Sequence, residues 1–315
     1  MRRAHAARAQ AGPACPQGRG PFLSDGRRSG GRVHLGLLGP ALTAHVELAR
    51  TYRAQGRLSD ELDLWQRRLK ADPKDAIAHQ RLGWVLWFTG RAMEGLPYLR
   101  AGAEMSPGDP WAHFYIGNAN LALGDYGEAE RMYRKALAFQ SDHSSAQAGV
   151  IWSLLAANKG QEAQSELHQF QTRTFDGDRY PLKLADLEYF LGDDKNASLH
   201  AREALAEPDE RYWPRGFLAS TIFGALLWRT DRVAAEDHLG ESERIDLQRL
   251  EGGDEGYMPH IDLAAVRAIR GDVSAGCDSL RTAMTLGWHY PALATRERLF
   301  ESLRESQDFR SLVAS

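Results

Sequence analysis

Apolar positions along the chain recur with a helical period. Between Trp111 and Asp142 they form two stripes: Phe114, Ile116, Leu121 and Leu123 first, then Tyr126, Ala129, Met132, Tyr133, Ala136 and Leu137. The second stripe keeps i, i+3, i+4, i+7 spacing, the mark of a half-buried helix. A turn at Gly124-Asp125 divides the two, so the stretch reads as a helical hairpin. One hairpin cannot bury its apolar face alone and needs stacked neighbours.

The neighbours are written along the chain. With Pro110 as position 1, that position recurs at Leu42, Ala76, Pro110, Ser144 and Asp178, a constant spacing of 34. Positions 4, 7 and 8 read His45-Leu48-Ala49, His79-Leu82-Gly83 and His113-Ile116-Gly117. The turn position carries Gly56, Gly90, Gly124, Asn158 and Gly192, residues that tolerate a positive φ at a helix C-terminus. Ala129, Ala163 and Ala197 supply a small residue, and Pro73 and Pro107 end the second helices of the first two units.

This 34-residue helix–turn–helix pattern resembles the tetratricopeptide repeat over residues 42–209. It departs from that family at position 4, where histidine stands three times in place of tryptophan. The resemblance implies an all-α, right-handed superhelical solenoid of about seven hairpins with a C-terminal capping helix. Its parts are a leader (1–41), five regular repeats (42–209), two divergent repeats (210–293) and a cap (294–315). The cap's charged helix offers Leu299, Phe300, Leu303 and Phe309 to the last repeat's open face, as a solenoid end requires.

Composition narrows the function. The chain is 43% apolar and 26% charged with a net charge of −3, which argues against a nucleic-acid surface. Cys15 and Cys277 are its two cysteines, so a disulfide framework is excluded and the cytoplasm fits best. No run approaches the roughly 18 apolar residues that span a bilayer. The leader holds seven arginines against one acid, Asp25, and is expected to be an inert disordered tail rather than a targeting segment or a basic arm.

No catalytic signature stands: H-E-x-x-H, G-x-x-x-x-G-K-[ST] and G-x-S-x-G are all missing. The repeated histidines tempt a zinc reading, but zinc needs ligands about 2 Å from the metal, whereas stacked helices lie some 8–10 Å apart. Packing in the inter-helix slot, with one ring nitrogen hydrogen-bonded, is the better account. Neither an enzyme, a metal site nor a cofactor is expected.

The resemblance also directs attention to the concave groove, which the first helix of each repeat lines in that family. Carried over by position, the candidate partner-binding residues are Gln80, Trp84, Trp87, Phe88, Trp111, Phe114, Asn118, Trp152, Arg179, Asp186 and Tyr189. Large rings there suit an apolar or aromatic peptide, and Asn118 suits a ligand backbone. The same aromatics fit a repeat core equally, since a one-residue change of register moves Trp84 or Trp87 inward. The family's lysine–asparagine–arginine carboxylate clamp has no counterpart: Val46, Gln80 and Phe114 stand at position 5, and Arg50, Trp84 and Asn118 at position 9. The expected role is a non-catalytic scaffold that binds a partner's peptide or helix. The alternative is the regulatory half of a bacterial signalling or transcription regulator whose effector domain is missing or separate. The run Leu286-Gly287-Trp288 and Arg296 to Arg310 resembles the ends of such regulators' repeat regions.

Overall fold

The structure is a computed structural model that describes residues 40–173, 180–206 and 216–314. The leader up to residue 39, and Arg179 among the groove candidates, lie outside the described residues.

The repeats fold as helical hairpins: α1 (Pro40–Ala54) with α2 (Leu58–Ala71), α3 (Ala76–Phe88) with α4 (Ala92–Met105), and α5 (Pro110–Ala122) with α6 (Tyr126–Phe139). They continue with α7 (Ser144–Ala156) and α8 (Gly160–Thr172), α9 (Tyr180–Leu191) and α10 (Asp194–Ala204), α11 (Ala219–Leu227) and α12 (Arg232–Glu251), and α13 (Met258–Arg270) and α14 (Val273–Thr285). The short α15 (Pro291–Ala294), a 3-10 turn (Arg298–Leu303) and α16 (Gln307–Ala314) follow. Seven hairpins stack in chain order into a right-handed superhelical solenoid, and no strand occurs among the described residues.

The local chemistry explains the breaks. Gly56, Gly90, Gly124, Asn158 and Gly192, the five turn residues of the regular repeats, all take a positive φ, between 61° and 88°. Gly271 does the same in the seventh hairpin, with φ 85°. Helix starts are closed by side chains: Asp75 accepts from Ala78 N, Asp109 from Trp111 N and Asp125 from Glu128 N. Such caps satisfy amides that have no intrahelical partner.

Two of the three position-4 histidines, His79 and His113, take the packing role. Nε2 of His79 donates to the carbonyl of Pro73 at 3.0 Å, and that of His113 to Pro107 at 2.9 Å. The His113 ring stacks on Phe139, centroids 5.4 Å apart. Among the described residues no group of three or more His, Cys, Asp or Glu side chains is placed to hold a metal ion. No described helix is long and apolar enough to cross a membrane.

Odd- and even-numbered helices differ sharply. The even helices are amphipathic, as in α6, which buries Ala129, Met132, Tyr133 and Ala136 and turns its charges outward. Three of the odd helices are buried on nearly all sides: Ala112 through Leu121 in α5, Ala146 through Leu155 in α7 and Leu182 through Phe190 in α9, whereas α1 at the end of the stack buries Val46 and Ala49. A helix without an amphipathic stripe belongs inside a structure, and these form its inner layer.

Candidate functional site

The inner layer is where the groove candidates sit, and much of it is closed. Trp152 has no exposed surface, Trp87, Asn118 and Asp186 are at most 2% exposed, and Gln80, Phe88, Phe114 and Tyr189 are also buried. The expected accessible wall is corrected at these positions. Asn118 accepts a 2.7 Å hydrogen bond from the Tyr133 hydroxyl, and Gln80 donates to Asp109 at 3.0 Å, so both amides serve the repeat stack. Trp152 packs edge-on to Phe190, 5.3 Å away, and Phe114 lies 5.0 Å from the His143 ring.

The second cause of burial is the chain's own C-terminal part. It laces the edge where the hairpin turns lie. Glu255 N donates to Gly56 O at 3.0 Å, while the Glu255 carboxylate accepts from Ser59 N and Oγ in the first hairpin. The Tyr257 ring packs against Phe88 at a tilt, centroids 5.0 Å apart. Gly287 meets the second turn so closely that a Cβ on it would lie 2.4 Å from Gly90 N. Arg296 Nη1 then donates to Leu155 O at 2.7 Å, and Arg298 Nη1 to Tyr189 O at 2.6 Å. Both carbonyls belong to the last turns of inner helices, α7 and α9, where a cation meets the negative end of the helix dipole. Arg298 also grips Asp194 with two nitrogens, at 2.5 and 3.1 Å. Ser302 Oγ donates to Ala268 O at 2.6 Å in the seventh hairpin, and Phe309 of α16 is buried near α14.

Among the described residues, an accessible stretch of the inner surface lies at the first three hairpins. Trp84 and Trp111 are half-buried there. Trp84 stacks on Phe88 at 4.9 Å and carries the Arg53 guanidinium over its other side, 4.0 Å from the ring centroid. Beside it opens a cavity of about 100 Å³ lined by Val46, Ala49, Arg50, Arg53, Trp65, Arg81 and Tyr115. Arg53 is held by the fully buried Glu61, which also accepts from Trp65 Nε1 at 3.3 Å. Burial opposes the charge on Arg53, but the Glu61 contact outweighs it and holds the guanidinium above its usual value. Arg81 donates to the Tyr115 hydroxyl at 3.1 Å and has no carboxylate contact among the described residues. Among the described residues Arg50 pairs with Glu47, one turn back on the exposed face of α1, at 2.8 Å.

The arginines of this cavity are not among the candidates that repeat position assigned. Their signal was nevertheless present, since Arg50 and Arg53 are three residues apart on one helix face. What repeat position alone cannot supply is that Arg81 of the next repeat faces them.

The tetratricopeptide repeat family model matches residues 110–143, the hairpin of α5 and α6. The chain is similar to the DnaJ homolog subfamily C member 3 of Bos taurus and of Rattus norvegicus, 28% identical to each over 123 residues. That match covers 39% of this chain and 22% of each relative. Among solved structures, a chain of the APC/C hetero-tetramer Cut9–Hcn1 shares the fold with a TM-score of 0.54 and 16% identity, over 89% of this chain and 53% of the other. The chain thus spans about a fifth of the curated relatives and about half of that structure. The matched repeat, the 34-residue period and the seven stacked hairpins agree: residues 110–143 match the tetratricopeptide repeat, and the described hairpins around them share the fold of a solenoid of such repeats.

Proposed function

We propose that this protein is a non-catalytic scaffold that binds an extended segment or helix of a partner protein on the inner surface of its first three hairpins. The observation that carries this reading is the accessible aromatic and cationic stretch at Trp84, Trp111, Arg53 and Arg81, on a layer that is buried over most of α5, α7 and α9. Half-exposed tryptophans and arginines are the residue types that dominate binding energies at protein interfaces. The repeat fold itself supports a protein-interaction role. A net charge of −3 favours a protein over a nucleic acid as the partner. A chain with two cysteines suits a reducing compartment, and the scaffold's proposed site of action is the cytoplasm.

The test is affinity capture with the full chain and with a Trp84→Ala/Trp111→Ala variant, each captured protein then being purified and titrated by calorimetry. Binding that falls by at least about tenfold in the variant, with helical content unchanged by circular dichroism, supports the reading. A partner that binds both forms equally removes the first three hairpins from the interface.

A further inference from the structure

We propose that the cavity framed by Arg50, Arg53 and Arg81 is an anion-recognition site that takes a carboxylate or phosphate group carried by the partner segment. This rests on the scaffold reading and gives its site a chemistry. Three guanidinium groups converge on one small cavity, and two carboxylates, Glu47 and Glu61, answer them. Arg53 is neutralised and fixed by Glu61 beneath it and clamped over the Trp84 ring, so it shapes the wall without competing for a ligand. Arg50 is tied, among the described residues, to an exposed carboxylate on its own helix, a contact weak enough to be exchanged. Arg81 has no carboxylate contact among the described residues: one of its five N–H donors goes to Tyr115, which holds the group in place and leaves the rest of the fork.

A planar fork of donors matches two anionic oxygens at once. The half-buried setting strengthens that attraction relative to an open surface. A cavity of about 100 Å³ has room for several water molecules, hence for a carboxylate or phosphate group. Val46, Ala49, Trp65 and Tyr115 are buried behind the guanidinium groups, so the surface the cavity offers is mainly polar.

The site is tested on the full chain by fluorescence anisotropy with three labelled probes: hexaglutamate, a hexapeptide containing phosphoserine, and hexaglutamine. The proteins compared are the wild type, Arg81→Gln and Arg244→Gln, the last removing an exposed arginine of α12 that pairs with Glu241. An anionic probe is expected to bind the wild type, to lose about tenfold or more in affinity in Arg81→Gln, and to bind Arg244→Gln normally. Tighter binding of phosphoserine than of glutamate assigns the anion to phosphate, and the reverse order to acidic side chains. Anionic probes that bind no tighter than hexaglutamine, or that Arg81→Gln and Arg244→Gln weaken alike, overturn the proposal. Should a captured partner still depend on Trp84 yet ignore Arg81→Gln, the anion site falls and the scaffold reading stands.

Discussion

Tyr133 occupies a slot made by two missing side chains. A Cβ on Gly117 would lie 2.7 Å from its ring, and one on Gly149, in the next repeat, 2.6 Å. The ring therefore joins consecutive hairpins while its hydroxyl bonds to Asn118. Gly149→Ala overpacks this joint and is expected to cost about 1–3 kcal/mol, read as a lower urea midpoint. His200 carries a different kind of prediction. Its 2.7 Å hydrogen bond to the fully buried Glu188 raises its pKa in the folded state. The proton is thus held more tightly folded than unfolded, so the stabilisation is complete below about pH 6.5 and declines as pH rises through the folded value. His200→Gln should therefore lag the wild type most on the acid side of about pH 6.5, with the gap narrowing towards alkaline pH; urea midpoints across that range measure it. At this scale the turn glycines and the histidine slots were legible because repetition exposes them. Asn118 was not, since its partner lies 15 residues on and nothing in the position pattern pairs the two.

Among the elements, hairpin boundaries followed from period and punctuation, and the amphipathic outer helices from their stripes. The inner helices carried a readable warning as well. GVIWSLLA in α7 is apolar around the whole helix, which signals enclosure rather than a solvent-facing groove. The lacing segment carried no such signal. Arg296 and Arg298 read as surface charge in a polar helix, and their acceptors stand 141 and 109 residues away. Arg298→Ala removes the contacts to Tyr189 and Asp194 together. Hydrogen exchange should then accelerate across the 3-10 turn and at the end of α9, while far-ultraviolet circular dichroism stays at the wild-type value. Unchanged exchange at both sites would assign the laced edge to the apolar residues Leu299, Phe300 and Leu303 alone.

At the level of the whole molecule, contacts between distant hairpins change how the solenoid unfolds. Repeats that touch only their neighbours open independently from an end. Here Glu255 ties the first hairpin to the loop before α13, and Gly287 ties the second to the segment after α14. Urea unfolding followed by tryptophan fluorescence and by circular dichroism should give coincident transitions in the wild type. In Glu255→Ala the fluorescence transition should come first, because Trp65 of the released hairpin loses its enclosure. The laced edge has a further consequence for recognition. An unlaced coil of hairpins lengthens or shortens like a spring to suit guests of different size. This one is buckled at its first, second, fourth and fifth turns, so its pitch is set before any guest arrives. On the proposed scaffold reading, the inner surface would then be a gauge of constant length, selecting segments by whether they fit rather than by how far the coil will stretch.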